Sequence, residues 1–85
     1  MTSELLKNSE DRKPWDRQPG EPMRWFERFE VFRRLGASRS VQATYYQWKE
    51  NVNKPPAKYC PNHWWMLARK YKWVERAAAF DEIAS

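Results

Sequence analysis

Cys60 and His63 are the chain's one cysteine and one histidine, three positions apart, and their chemistry has to be weighed first. Together they supply at most two zinc ligands where a structural site needs four. As a nucleophile and base they lack a third group to orient the imidazole. With two glycines in all, the chain has no glycine-rich phosphate loop. These residues point away from an enzyme, and no metal, cofactor or small-molecule substrate is expected.

A different chemistry gathers around a helix expected to begin near Cys60 or Pro61. On its wheel Trp64, Leu67, Ala68 and Tyr71 share one side, and Asn62, Trp65, Met66 and Arg69 share the other. Arginine reads guanine through two hydrogen bonds and asparagine reads adenine, so Arg69 and Asn62 suit base edges. Lys54, Lys58, Lys70 and Lys72 flank them and suit phosphates. Trp65 and Met66 suit thymine methyls or sugars, or else pack against the N-terminal arm, the reading favoured for Trp65. Arg39 and Ser40, with Ser38, sit at the start of an earlier helix, where backbone donors and the positive end of the dipole hold anions.

The charge distribution agrees with this placement. Sixteen Lys and Arg against eleven Asp and Glu give a net +5, and residues 51–76 carry six basic residues against one acidic. A basic patch favours a polyanion, although a solvated face that aids solubility has the same composition. A single cysteine excludes an internal disulfide and suggests a reducing compartment. The absence of a long apolar run or a signal-like segment supports neither membrane insertion nor secretion, so a cytoplasmic location is expected.

The elements that position these residues are helices. The 85 residues have room for one modest core, and 14 aromatics, six of them Trp, supply the area that so short a chain needs. Residues 1–21, with Pro14, Pro19, Gly20 and mixed charge, read as an extended or disordered arm from which Trp15 docks. Residues 22–85 form the helical domain. Pro22 and Gly36 bracket a first helix whose Trp25, Phe29 and Phe32 form one stripe, with Glu30 and Arg34 paired outside. Ser38 or Ser40 caps a second helix that runs to about Asn51, with Val41, Tyr45, Trp48 and Val52 inward and Ala43, Tyr46 and Glu50 outward. Pro55 and Pro56 break it. A helix over about 60–72 and another over 73–84, with Trp73, Ala77 and Phe80 on one side, complete an all-α bundle of three to four helices in a helix-turn-helix-like arrangement.

Certain segments also resemble a known family. They are Pro14-Trp15-Asp16-Arg17-Gln18-Pro19-Gly20-Glu21, Phe32-Arg33-Arg34-Leu35-Gly36, Ser38-Arg39-Ser40-Val41, and Trp73-Val74-Glu75-Arg76-Ala77-Ala78-Ala79-Phe80-Asp81. In this order and spacing they resemble small phage and prophage proteins similar to the DNA-binding domain of the phage terminase small subunit. The resemblance implies a helix-turn-helix that engages duplex DNA inside a host cell, for packaging or regulation, with a phage packaging protein or a host protein as a further partner. The Pro55-Pro56 loop departs from the short turn usual between that family's paired helices. From another class, an adaptor that binds a protein through Trp65, Met66 and Tyr46 uses some of the same residues. Single-stranded nucleic acid stacked on Trp and Tyr is a third reading.

Overall fold

A computed structural model of the protein describes residues 12–84. Among the described residues four helices follow one another, α1 (Met23–Arg34), α2 (Val41–Asn51), α3 (Asn62–Lys70) and α4 (Trp73–Ala84), with one 3-10 turn at Gly36–Ser38. No strand occurs among the described residues, so the chain is all-α as its periodicities imply. α1 packs on α2 and α4, and α3 packs on α2 and α4. No helix among the described residues is long and apolar enough to cross a membrane.

Local chemistry sets the helix ends. Pro22, with φ −62°, stands immediately before α1, and its carbonyl accepts from Trp25 N and Phe26 N. Arg33 and Arg34 occupy the last turn, where cations oppose the negative end of the dipole. Gly36 then turns the chain at φ +64°, a conformation open to a residue without a Cβ. The Ser40 Oγ accepts from Ala43 N at 3.0 Å and caps α2. Asn53, at φ 57°, ends that helix and lets Lys54 N reach back to the Lys49 carbonyl. Between α3 and α4 only Tyr71 and Lys72 intervene, and Lys72 takes φ 54°. A side chain in this left-handed region costs about 1–2 kcal/mol relative to the right-handed one.

The core is a chain of rings drawn from all four helices. Trp73 is fully buried, with its ring centroid 5.3 Å from Phe32, 6.2 Å from Phe29 and 6.5 Å from Trp64. Trp64 in turn meets Trp25 at 5.2 Å and Tyr45 at 5.3 Å, both edge to face. Such pairs contribute about 0.5–1.5 kcal/mol each beyond the area they bury. The Arg28 guanidinium lies 4.3 Å from the Trp25 centroid, 4.7 Å from Trp64 and 5.1 Å from Trp48, so a cation closes the outer edge of the ring cluster. Burial among those rings, with help from neighbouring Arg24, holds the Arg28 pKa below its ordinary value.

Two elements differ from the sequence expectation. Residues 12–21 are irregular, but they are pinned to the bundle rather than extended away from it, while the rest of the expected arm, residues 1–11, lies outside the described residues. The Arg76 guanidinium on α4 donates to the Pro14 carbonyl at 2.6 Å, to the Asp16 carbonyl at 3.0 Å and to both oxygens of the fully buried Glu21. Trp15 docks as expected, edge-on to Phe80 at 5.5 Å. The second difference concerns Val52, expected inward on α2. It lies beyond the last turn and is exposed, and the buried polar residue of that helix is Thr44, whose hydroxyl donates to the Ser40 carbonyl at 2.7 Å.

Candidate nucleic-acid interface

α3 separates its two sides cleanly. Trp64 and Ala68 are buried and Leu67 is partly buried, and all three fall on one side of the helix. Asn62, Trp65, Met66 and Arg69 all emerge on the opposite side, with Trp65 44% and Met66 63% exposed. The Asn62 Nδ2 lies 3.8 Å from the Met66 Sδ, a contact between residues one turn apart. Arg69 and Asn62, expected at base edges, therefore share one exposed helical surface with Trp65 and Met66, and an α-helix is an element that the major groove admits.

Trp65 is not packed on residues 12–21. It lines a groove of about 240 Å³ with Val41 and Val74, floored by Ala68 and bordered by Arg69 and Glu75. That groove opens between the N-terminal ends of α2 and α4, whereas residues 12–21 are held by Arg76 and Phe80. The expectation that the arm covers Trp65 fails over these residues because the Glu21–Arg76 pair fixes them elsewhere.

The cations fall into two groups. Lys54 and Lys58 lie exposed in the 52–61 connection that leads into α3. Two tyrosines stitch this connection to α2: the Tyr45 hydroxyl accepts from Ala57 N at 2.8 Å, and the Tyr46 hydroxyl donates to the Lys58 carbonyl. Tyr46 is thus partly buried and engaged, not the free anchor expected of it. Arg69, Lys70 and Lys72 lie exposed at the end of α3 and just beyond it, and none forms an ion pair with another described residue.

Arg39 and Ser40 need a correction. Arg39 Nη1 and Nη2 grip the Asp81 carboxylate at 2.6 and 3.1 Å, Nη2 also donates to the Arg33 carbonyl at 2.6 Å, and Nε donates to the Phe32 carbonyl at 3.2 Å. The guanidinium therefore covers the carbonyl end of α1 and ties it to α4. The same contact holds the Asp81 carboxyl below its ordinary value, chiefly through the hydrogen bond from Arg39. The Ser40 Oγ is occupied by Ala43 N. Neither side chain is free for a phosphate in this arrangement.

Cys60 and His63 form no site together. The Cys60 thiol is buried, which raises its pKa to about 11, and its Sγ lies 3.6 Å from the Pro61 carbonyl. His63 is exposed, with its ring edge-on to Trp25 at 5.7 Å. Among the described residues no three His, Cys, Asp or Glu side chains cluster as metal ligands. Two residues outside the sequence-based set, Arg12 and Tyr71, join Lys70 and Lys72 around a second groove. The helical pattern places Tyr71 inward, and nothing in the sequence links Arg12 to a turn so far along the chain.

Fold and surface together define a small all-helical bundle that carries, on α3 and the turn after it, a group of cations without acidic partners among the described residues. No protein-family model, no curated protein and no solved structure matches the chain.

Proposed function

We propose that the protein is a non-enzymatic module that binds duplex DNA through the outer side of α3. One observation carries the reading. Arg33, Arg39 and Arg76 are tied to carboxylates, whereas Arg69, Lys70 and Lys72 stand exposed and unpaired among the described residues, next to Asn62, Trp65 and Met66. Cations left unneutralised on one surface favour a polyanion, and a helix presenting Arg and Asn on one side suits the donor and acceptor pattern of the major groove. The resemblance to the DNA-binding domain of the phage terminase small subunit agrees, and with it a role in phage DNA recognition for packaging or regulation, inside a host cell. Anisotropy titrations of a labelled duplex at two salt concentrations test the reading. Affinity that declines with salt and falls on replacing Arg69 and Lys70 supports it, and salt-independent affinity overturns it.

A protein partner is the second reading, favoured by the apolar groove beside Trp65, where Val74 is also exposed. A partner that stays bound after nuclease treatment and is released by Trp65→Ala, with no duplex affinity in the wild type, decides for it.

A further inference from the structure

A groove of about 360 Å³ runs between the anchored segment 12–21 and the turn joining α3 to α4. Arg12 and Gln18 form one wall, and Lys70, Tyr71 and Lys72 form the other. At its floor Arg76 is neutralised by Glu21, and among the described residues no carboxylate lines the groove, so three cationic residues, Arg12, Lys70 and Lys72, line one space.

Three details suggest an anion site rather than an incidental concavity. Lys72 holds φ 54°, a conformation that glycine adopts freely and a lysine does not, so the backbone here is strained at a residue whose charge lines the groove. The cations are positioned. Arg12 Nη1 is tied to the Arg17 carbonyl at 2.7 Å, its one side-chain hydrogen bond among the described residues, and the Lys70 Nζ lies 5.5 Å from the Tyr71 ring centroid. The carbonyl end of α3, which would repel an anion, is covered where it meets the groove, because the Tyr71 carbonyl accepts from Arg76 Nη1 at 3.0 Å.

We propose that this groove seats one backbone phosphate of the bound duplex, held by Lys70, Lys72 and Arg12. Lys70, the last residue of α3, follows Arg69 in the chain and lines the groove, so the groove adjoins the end of the helix whose outer side meets the duplex. The segment 12–21 is then half of a phosphate clamp rather than a passive arm, and the Glu21–Arg76 pair positions it. This inference rests on the duplex DNA reading above.

Lys72→Gly separates folding from binding, because glycine relieves the left-handed strain while removing the charge. Anisotropy titrations of a labelled duplex over a series of salt concentrations are run on the full chain, its Lys72→Gly variant and its Arg12→Gln variant, with a thermal melt of each. Both variants are expected to bind more weakly, with the slope of log affinity on log salt shallower by up to about 0.9, because the seated phosphate loses one of its three cations. Lys72→Gly is expected to melt no lower than the wild type. A wild type that binds with a salt slope while both variants keep its affinity and slope overturns the phosphate site and leaves the duplex reading standing. A wild type without duplex affinity removes that reading and this site with it.

Discussion

Glu21 and Arg76, 55 positions apart, meet as a two-pronged ion pair at 2.8 and 3.1 Å, with the Glu21 side chain completely removed from solvent. Glu21 Oε1 also accepts from Gln18 N at 2.9 Å, and the Arg76 guanidinium lies 4.0 Å from the Phe29 ring centroid. One α4 side chain therefore binds the N-terminal segment, caps α3 through the Tyr71 carbonyl and lies against the core ring of α1.

Arg76→Met leaves a buried carboxylate with no cation, and breaking such a pair costs about 3–5 kcal/mol. For a domain of this size each kcal/mol lowers the melting temperature by roughly 4–8 °C. The double variant Glu21→Gln with Arg76→Met is destabilised by less than the sum of the two single variants, because it leaves no unpaired charge. Thermal melts of the three variants check this, and additive effects would show that the two residues act independently.

The helices were legible because their buried faces are aromatic and regularly spaced. Trp25, Phe29 and Phe32 mark the inner side of α1 without any knowledge of what covers it, and Ser40 marks the start of α2 by a hydrogen bond within one turn. The outer side of α3 was legible as the complement of Trp64 and Ala68. The polar tertiary contacts were not. Arg39 reads as a free cation at a helix start because its partner, Asp81, lies 42 positions away with no periodicity to relate them. Glu21 and Arg76 are charged residues in buried positions, the reverse of what hydropathy indicates, and the left-handed backbone at Lys72 has no signal in a residue that is neither Gly nor Asn.

Burial places the Cys60 thiol near pKa 11, against an ordinary value of 9.0. At pH 8 the folded protein then holds about 100-fold less thiolate than the unfolded chain, and the thiolate is the species that alkylates. Iodoacetamide is expected to label Cys60 slowly under native conditions and quickly in denaturant. Equal rates in the two conditions would mean that the loop before α3 opens freely.

The Arg39–Asp81 contact makes stability sensitive to acid. Because the Asp81 carboxyl titrates lower in the folded protein than its ordinary 3.8, its contribution is present above that value and disappears as pH falls through the folded one. Asp81→Asn is expected to melt below the wild type at neutral pH, with the gap narrowing below about pH 4. Melting curves from strongly acidic to neutral pH check this, and a gap constant with pH would remove the ion pair from the account.

Arg69→Ala with Lys70→Ala tests the surface on which the functional reading depends. Both side chains are exposed and form no ion pair among the described residues, so their removal is expected to change stability by no more than about 0.5 kcal/mol. Duplex affinity should behave differently. If Lys70 neutralises a phosphate and Arg69 reads a base, the double variant binds more weakly at every salt concentration. Its salt slope is shallower by up to about 0.9 for the phosphate, and its preference among duplex sequences narrows by about 1–3 kcal/mol for the base. A shallower slope with unchanged sequence preference assigns both residues to the backbone and moves base reading to Asn62, Trp65 and Met66. Unchanged affinity and slope would mean that the exposed cations of α3 serve solubility alone, leaving the apolar groove beside Trp65 as the surface to pursue.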